Sequence, residues 1–318
     1  MAEIIVEKDF DGIKIERFIK RVYPKLPMSL IFKLLRKGKV RVNKKKITHN
    51  FRVKEGDSII LHVSPDLLSE SIKKDNLSAG CELVDLDIIF ENEDFLAINK
   101  PPGFAVHGGV GHKEDVLLGA IYKYLRYEAS PLKFPPTPVH RLDIETSGVL
   151  IFAKNYEFLR IFNDLQRGHR IYKEYIALVF GSLSEEKREI YAPVIRKDRP
   201  MRISNNKVGR SLVSRLAISR KFESDSKVFT LLKVIIKTGR THQIRSHLSQ
   251  FGFPLVGDKL YGDSTINRWA KETFGLRRQF LHAFETKFEY NGSAYSLRAL
   301  LKEDLLRVLD MLDINFSQ

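Results

Sequence analysis

The sequence has very little cysteine. Its single thiol, Cys81, cannot form an intramolecular disulfide, and one sulfur is too few for a zinc or iron–sulfur site built on thiolates. Long apolar runs are also missing, since no segment reaches the ~18–20 apolar residues that a membrane span needs. The short, acidic N-terminal segment 1–7 is unlike a secretory signal. These absences predict a cytoplasmic protein in a reducing environment, without a membrane partner.

Nucleotide-binding and metal-binding patterns are missing as well. The chain has no GxxxxGK[ST] loop and no GxGxxG after a strand, so ATP and dinucleotide binding have no support in the sequence. The histidine pairs His107/His112 and His242/His247 lack the helical i,i+4 spacing with a glutamate that metal hydrolases use. We therefore expect no metal and no nucleotide cofactor.

The chain does have a large excess of positive charge. Its 318 residues include 54 Lys and Arg against 39 Asp and Glu, which gives a net charge of +15. A hydrophobic fraction of 43% is enough for a packed core, so the protein is folded rather than disordered. This length fits one large domain or a large domain with a small one. The charge itself favours an anionic partner, either a nucleic acid or an anionic membrane surface.

Most of the positive charge lies in residues 1–64, which hold 16 basic against 7 acidic residues, a net of +9. The pattern predicts a helix over 13–23, a second helix capped by Ser29 and ended at Gly38, and strands at 40–42 and 58–61. Basic residues cluster on the second helix and the hairpin after it: Lys33, Arg36, Lys37, Lys39, Arg41, Lys44, Lys45 and Lys46. A solvated charged face and an RNA-binding surface both fit this pattern taken alone.

The same segment carries a recognisable signature. The run LPMSLIFKLLRKGKVRVNKKK, followed by VKEGDSIIL, resembles the small αL-type RNA-binding module of ribosomal protein S4. The resemblance implies a positive surface that contacts phosphates without reading bases. We therefore predict a small RNA-binding domain at 1–64, a Ser-, Asp- and Lys-rich linker at 65–80, and a larger domain at 81–318.

The larger domain mixes strands and helices without a regular βαβ order. A hairpin is predicted at 87–90 and 95–100, with further strands at 149–153, 172–180, 229–237 and 280–288. Helices are predicted at 116–127, 156–166, 241–250 and 303–312. This arrangement favours an α+β fold with a mostly antiparallel, mixed sheet. A basic segment at 197–206, KDRPMRISNN, is expected to touch RNA.

A dense group of functional side chains, HRLDIETSG, occupies residues 140–148. Taken alone it allows several interpretations. Asp143 could be a turn or cap residue, with Thr146 and Ser147 satisfying the local backbone. Asp143 could instead form a two-carboxylate site with Glu145, although only an extended segment would direct both side chains to one side.

The whole nine-residue segment resembles the HRLDxxTSG signature of the RluA-type pseudouridine synthases. Further segments of that family's pattern follow in order: NKPPG at 99–103 with Val106 and His107, KEYIA at 173–177, GRTHQIR at 239–245, GDKLYG at 257–262 and LHA at 281–283. With the S4-type module in front, the chain resembles the members that modify large-subunit ribosomal RNA. The resemblance implies a cofactor-free isomerisation of uridine to pseudouridine in RNA.

The resemblance also implies roles for particular residues. Asp143 matches the catalytic aspartate, Arg245 an arginine that lies against it, and Tyr175 an active-site tyrosine that stacks on the base. Arg141 would fill the space left by the extruded uridine. The motif scaffold is expected to comprise His140, Thr146, Gly148, Arg240 and His242.

Two other classes of function are weighed against this one. A non-catalytic RNA-binding or ribosome-assembly factor would be expected to have lost Asp143, Tyr175 or Arg245, and all three are present. A metal-dependent hydrolase would need a further cluster of acidic ligands, which the sequence does not contain at a convincing spacing. We therefore predict a monomeric RNA-modifying enzyme whose partner is ribosomal large-subunit RNA.

Overall fold

A computed structural model describes residues 2–23, 26–63, 85–106, 114–127, 133–184, 186–193, 208–222 and 226–317. These residues form two sheets, one of four strands near the N-terminus and one of ten strands in the remainder. The predicted linker at 65–80, the basic segment at 197–206, and His107 with His112 lie outside the described residues. The domain boundaries drawn from the sequence therefore stay predictions.

The N-terminal unit packs two helices against a small antiparallel sheet. Its elements are β1 (Ala2–Ile5), α1 (Ile15–Val22), α2 (Met28–Arg36), β2 (Val40–Val42), β3 (Lys45–Lys46) and β4 (Ser58–Leu61), with a 3-10 turn at Lys8–Phe10. The strand order is β1-β4-β2-β3. Both helices bury one apolar stripe, as the periodicity predicts, which leaves the basic side chains of α2 and of the β2–β3 hairpin on the outside.

Two details of this unit differ from the sequence-based prediction. The α2 helix begins at Met28 rather than after Ser29, because the carbonyl of Pro27 already accepts hydrogen bonds from the amides of Leu30 and Ile31 at 3.0 and 3.1 Å. Ser29 as the N-cap is therefore wrong. Strand β1 is not predicted either, because only four residues alternate there before the chain turns. The prediction for Gly38 holds, since its φ of +64° is the left-handed conformation that ends a helix.

The large unit is built on one mixed sheet. Its strands are β5 (Ile88–Glu91), β6 (Phe95–Lys100), β7 (Thr137–Pro138), β8 (Ser147–Ala153), β9 (Tyr172–Phe180), β10 (Lys187–Pro193), β11 (Val208–Phe222), β12 (Lys227–Ile236), β13 (Leu281–Tyr290) and β14 (Ser293–Arg298). The main order is β10-β11-β12-β9-β13-β8-β6-β5, and β14 and β7 pair with β13 and β8. Neighbours run antiparallel except β13 and β8. The predicted α+β class is confirmed.

Helices cover both faces of this sheet. They are α3 (Glu114–Tyr124), α4 (Tyr156–Arg167), α5 (Gln243–Gln250), α6 (Ser264–Phe274) and α7 (Glu303–Met311). Side chains of α3 and α5 pack on the face that includes Tyr175, and those of α6 and α7 pack on the opposite face with Ile176. This alternation along β9 decides which of its residues can reach the cavity described below.

The sequence patterns locate most of these elements to within a few residues, but they miss β7, β10, β11, β14 and α6. Strand β11 reads as VGRSLVSRLAISRKF, in which serine and arginine interrupt the apolar positions, so its pattern is that of a polar loop. Helix α6 reads as STINRWAKETF and buries only Ile266, Ala270 and Phe274. Both elements depend on partners far along the chain rather than on local periodicity.

The two units touch through a small apolar contact. The ring of Phe10 packs edge-on against Phe134 with the centroids 6.3 Å apart, and the amide of Phe134 donates to the carboxylate of Asp9 at 3.3 Å. Removing the N-terminal unit would therefore also expose apolar surface on the large unit.

Candidate active site

The loop between β7 and β8 holds the HRLDIETSG segment in a fixed turn. The amide of Thr146 donates to the carbonyl of Asp143 at 3.0 Å. The carbonyl of Ile144 accepts from the amide of Gly103 and from Nζ of the fully buried Lys100, both at 2.9 Å. Burial lowers the pKa of Lys100 to about 7. Because backbone groups carry these bonds, the side chain of Asp143 is left to point into a cavity.

Asp143 is the first of three charged groups in a row. Its Oδ2 atom accepts from Nη1 of Arg245 at 3.0 Å, while Nε and Nη2 of the same guanidinium donate to the two carboxylate oxygens of Asp258 at 2.7 and 2.8 Å. Burial on its own would lower the pKa of Arg245, but the hydrogen bonds to Asp258 and the charges of both carboxylates raise it above the ordinary arginine value. The guanidinium therefore stays charged and holds Asp143 in place.

Asp258 is the deepest member of this row. Its side chain is fully buried, and the amides of Leu260 and Tyr261 also donate to its Oδ1 atom, at 2.9 and 3.0 Å. Burial raises the pKa of the Asp258 carboxyl, but Arg245 and these amides outweigh it and lower the pKa overall. No role for Asp258 is predicted from the sequence, although the residue lies in the GDKLYG segment. From the sequence alone, an aspartate in such a segment indicates only a turn in which it accepts hydrogen bonds from the amides that follow. The pairing of Asp258 with Arg245 can be recognised only in the folded structure.

Tyr175 faces Asp143 across a cavity of about 230 Å³. Burial, and secondly the nearby charge of Asp143, raise the pKa of Tyr175 well above that of a free phenol. The phenol is therefore protonated at any physiological pH. The cavity wall includes both side chains, together with the apolar Leu142, Ile236 and Leu281. The cavity therefore has one carboxylate and one phenol in a wall that also contains apolar side chains and the cations Arg141, Lys173, Arg240 and Arg245.

The arginines and histidines of the predicted set lie around the mouth of this cavity. Arg141 and Arg240 are exposed and line it. His242 has a left-handed backbone with a φ of +59°, and its Nε2 atom is 3.9 Å from Oδ2 of Asp143. The ring of His140 lies nearly parallel to that of Phe162 at a centroid distance of 6.3 Å. Only the two arginines are free to meet a large ligand from outside.

The scaffold residues at the end of the motif join the loop to the sheet. Oγ1 of Thr146 accepts from the side-chain amide of Gln279 at 2.9 Å. Gly148 has a φ of +116°, and a Cβ atom there would lie 2.2 Å from the carbonyl oxygen of Ala283 on β13. No residue other than glycine fits this close approach of two strands.

The two-carboxylate interpretation does not describe the cavity that holds Tyr175. Of the two carboxylates only Asp143 lines that cavity, while Asp143 and Glu145 both line a neighbouring cavity of about 220 Å³. The imagined metal pair of His242 and His247 does not form a site either, because His247 bonds to Ser211 and to the carbonyl of Ala192 at 3.1 Å in each case.

The described residues contain no group of three or more His, Cys, Asp or Glu side chains arranged to hold a metal ion. Within the same part of the chain, no helix is long and apolar enough to cross a membrane.

The predicted RNA-binding residues of the N-terminal unit, called its basic surface below, are nearly all exposed. Seven of the eight basic residues are exposed, and Arg41 is partly exposed. They follow α2 and the β2–β3 hairpin, as the sequence pattern predicts. A groove of about 830 Å³ lies between these elements, and the half-exposed Phe32 lines it beside Arg36, Lys37 and Lys46.

One buried contact beneath the site predicts a dependence of stability on pH. Oγ of Ser147 is 2.8 Å from Nδ1 of His282, whose Nε2 atom is 2.9 Å from the carbonyl oxygen of Ala299. Burial lowers the pKa of His282 from 6.5 to about 4, so the folded state binds fewer protons than the unfolded state between these values. The free energy of unfolding should therefore fall as the pH drops from 6.5 to 4, by up to about 3 kcal/mol from this histidine.

Urea unfolding of the wild type and of His282→Gln at pH 7.5, 5.5 and 4.5 checks this expectation. The acid-induced loss should be smaller in the variant by the share that His282 contributes. Equal losses in both proteins would contradict the assignment.

Comparisons with known proteins agree with this geometry. Residues 94–250 match the RNA pseudouridylate synthase family, and residues 14–59 match the S4 domain. The chain belongs to the RNA pseudouridylate synthases, as an RluA-type member with an S4 domain. The predicted enzyme class, an isomerase that forms pseudouridine in RNA, is thereby confirmed against the non-catalytic alternative.

Its curated relatives are similar over nearly their whole length. The chain is 35% identical to the ribosomal large subunit pseudouridine synthase C of Escherichia coli (strain K12), covering 97% of this chain and 96% of that protein. It is 34% identical to the protein of the same name from Vibrio parahaemolyticus, covering 96% and 94%.

Solved structures share the fold. Human RNA pseudouridylate synthase domain containing 4 superposes with a TM-score of 0.58 at 23% identity, over 73% of this chain and 95% of that one. Human RNA pseudouridylate synthase domain containing 1 gives a TM-score of 0.52 at 20% identity, over 77% and 98%. At these identities the likeness bears on the fold alone.

Proposed function

We propose that this enzyme isomerises particular uridines of large-subunit ribosomal RNA, as a monomer in the cytoplasm. The observation that carries the chemistry is the Asp143 carboxylate, held 3.0 Å from Arg245 on the wall of a cavity shared with Tyr175. The ribosomal substrate is supported by the names of relatives that match the chain from end to end. A ribosomal substrate in turn favours the cytoplasm.

The reaction exchanges one glycosidic bond for another. The C1′–N1 bond of uridine breaks, the uracil turns within the cavity, and a C1′–C5 bond forms. The hydrogen on C5 leaves as a proton, and N1 carries a proton in the product, so no redox step takes place. Asp143 is the carboxylate for this chemistry, and an ionised Asp143 serves both routes that the sequence left open: attack on C1′ and removal of the C2′ proton. Arg245 keeps its carboxylate in one orientation.

Tyr175 supplies the aromatic wall for the uracil. Because its pKa is raised, the phenol keeps its proton while the base binds, so it presents a ring face and an O–H group rather than a phenolate. A protonated phenol is suited to stacking on the uracil. Its oxygen can accept the C5 proton only if the phenol proton is transferred to another acceptor. We therefore assign Tyr175 to base positioning and to proton transfer after the new bond has formed.

Arg141 is the residue that replaces the uridine in the RNA. The target nucleotide must leave its helix, since C1′ and C5 cannot be reached in a stack. Arg141 is exposed at the mouth of the cavity, and a guanidinium plane can stack on the neighbouring bases while it contacts phosphate. Arg240 lies at the same mouth, while His140, Thr146, Gly148 and His242 hold the loop.

The proposal is tested with purified protein, large-subunit ribosomal RNA and, as a comparison, small-subunit ribosomal RNA, in buffer containing a chelator and no nucleotide. Conversion is mapped by chemical labelling of pseudouridine. Formation of pseudouridine at a few defined positions of the large-subunit RNA supports the proposal. No conversion, or equal conversion of both RNAs at many positions, refutes it.

A monomeric enzyme needs no residue from a second chain. The predicted set of Asp143, Tyr175 and Arg245 already lines one cavity within a single chain, which supports this part of the proposal. Light scattering after gel filtration should give a mass near 36.7 kDa. A mass of twice that value at micromolar concentration would contradict it.

The basic surface of the N-terminal unit is expected to provide affinity rather than turnover. Arg36→Gln with Lys37→Gln removes two exposed charges from α2, and loss of two phosphate contacts should reduce the slope of log affinity against log salt by about 1.4–1.8. The kcat at saturating RNA should stay within about twofold. Point substitutions are preferable to deleting residues 1–64, because deletion exposes Phe134.

Filter binding across a salt series measures this slope. Arg268→Gln with Lys271→Gln is the matched control, because both residues are exposed on α6, away from that surface. An equal change of slope in the control would show that any two charges act alike and would contradict the assignment.

A further inference from the structure

Lys173 is a cation that the reaction described above does not use. It lies on β9 two residues before Tyr175, so both side chains project from the same strand face, and both line the 230 Å³ cavity. Its Nζ atom donates to Oε1 of Gln166 at 2.8 Å. Among the described residues, no carboxylate lies within ion-pair distance of Lys173. Burial lowers the pKa of Lys173 to about 8.

Burying an ammonium group away from water with a side-chain amide as its only partner lowers the stability of the folded protein. The structural lysines nearby have more partners: Lys154 pairs with Glu91 at 2.8 Å, and the buried Lys100 donates to two carbonyls at 2.7 and 2.9 Å, whereas Lys173 has one side-chain amide. Lys173 therefore has the environment of a group whose counter-ion arrives with a ligand.

A second cavity of about 330 Å³ begins at Lys173. It shares five lining residues with the 230 Å³ cavity, so the two spaces adjoin: Gln166, Lys173, Ile236, Gly239 and Arg240. Its lining residues come from the end of α4 and the turn after it, from the start of β9, and from the end of β12 with the loop that follows. Lys173 thus stands at the boundary between the place for the uracil and a neighbouring space.

The charge of this second cavity is of one sign. Its wall contains Arg167, His169, Lys173, Lys237 and Arg240, and none of its lining residues is Asp or Glu. Two carboxylates that are close in sequence lie outside this lining: Glu174 pairs with Lys233 at 3.4 Å, and Asp164 pairs with Arg167.

Asp143 also borders a cavity of about 220 Å³, which is lined by residues of both positive and negative charge. There the cations Arg141, Arg245, Lys259 and Arg278 are accompanied by the carboxylates Asp143 and Glu145, while Arg245 is paired with Asp143 and Arg278 with Asp304. Of the two cavities that adjoin the site, the one at Lys173 has cations and no carboxylate in its lining.

We propose that Lys173, with Lys237 and Arg240, forms a subsite that binds a backbone phosphate of the RNA next to the flipped uridine. The inference rests on the proposed function and identifies where the substrate backbone lies. A flipped nucleotide swings about its own backbone, so its flanking phosphates stay beside the cavity that holds the base. A phosphate at Lys173 would supply the counter-charge that the protein lacks there.

The first test removes the charge and keeps the length of the side chain. Lys173→Met should weaken binding of a ten-nucleotide oligouridylate about tenfold. It should also reduce the slope of log affinity against log salt by about 0.7, as expected for one lost contact to single-stranded RNA. Lys173→Arg should keep the wild-type slope. Lys271→Met, an exposed lysine that lines none of the three cavities, should change neither quantity.

Thermal unfolding separates this role from a structural one. Replacing an uncompensated charge by a residue of similar volume is not expected to destabilise the fold, so Lys173→Met should unfold at or above the wild-type temperature. Wild-type affinity together with a lowered unfolding temperature would show that Lys173 serves the fold and would overturn the proposal.

The second test locates the phosphate. In a short RNA substrate, the phosphodiester on the 5′ side or the 3′ side of the converted uridine is replaced by an uncharged methylphosphonate. For the wild type, one of the two replacements should raise KM about tenfold, and Lys173→Met should show no further increase for that RNA. Additive effects of the variant at both positions would overturn the proposal.

The two tests fail separately from the proposed function. If the wild type converts ribosomal RNA but Lys173→Met matches it in KM, in oligouridylate affinity and in salt slope, only the phosphate subsite is refuted. If the wild type converts no ribosomal RNA, the proposed function is refuted, while the oligouridylate measurements still decide whether Lys173 binds a phosphate.

Discussion

Asp143→Asn is expected to lower kcat by about 10⁴-fold or more while RNA binding stays near the wild-type level. The substitution keeps the size of the side chain, but a neutral amide can neither attack C1′ nor take the C2′ proton. Losses of this size are observed when the single reacting group of an enzyme is removed. Arg245 keeps its two bonds to Asp258 in the variant, so the wall of the cavity should survive.

Release of tritium from RNA that carries [5-³H]uridine measures the loss, under single-turnover conditions with enzyme in excess. Glu145→Gln is the matched control, because it neutralises a carboxylate two residues away that lines only the neighbouring cavity. The control should keep its rate within about threefold. Equal losses in both variants, or an Asn variant with more than one per cent of the wild-type rate, would contradict the assignment of Asp143.

Arg245→Met is expected to have the largest effect on stability. It leaves the fully buried carboxylate of Asp258 without its guanidinium partner, and breaking a buried ion pair from one side costs about 3–5 kcal/mol. The free energy of unfolding should fall by that amount, as measured by urea denaturation at pH 7.5. Activity should fall as well, because Asp143 loses its hydrogen bond to Arg245.

A second variant separates charge from packing. In the double variant Arg245→Met with Asp258→Asn, the stranded charge is removed, so more than half of the lost stability should return while activity stays low. If the double variant is as unstable as the single one, the loss comes from packing rather than from the buried charge, and the electrostatic account of Asp258 is wrong.

Local patterns in the sequence predicted a large part of this fold for a physical reason. Helices α1, α4 and α7 bury a regular apolar stripe, and β9 is a continuous apolar run, so their periods can be recognised without a partner. Strand β11 could not be predicted, because its alternation is masked by serines and arginines and it is held by β10 and β12. Helix α2 begins before the position that Ser29 indicates, because the carbonyl of Pro27 accepts the first helical hydrogen bonds.

The residues of the candidate site likewise divide into those that the sequence located and those that only the structure identified. Resemblance located Asp143, Tyr175 and Arg245, whereas their geometry depends on residues about 100 positions apart meeting in the fold. Asp258 and Lys173 lie inside recognised segments, but what distinguishes them is burial and the presence or absence of an opposite charge. No property of the linear sequence reports either quantity, so both had to come from the structure.

The turn that presents Asp143 also bears on how such an enzyme can change. The hydrogen bonds that hold this turn go to main-chain oxygens. The Lys100 ammonium and the Gly103 amide donate to the carbonyl of Ile144, and Arg278 donates to the carbonyl of Glu145 at 3.2 Å. The side chain of Ile144 is half exposed and that of Glu145 lines the 220 Å³ cavity rather than the one that holds Tyr175, so neither is needed to hold the turn. These two positions can accept new side chains, and with them new neighbouring nucleotides, while the reacting carboxylate stays where it is.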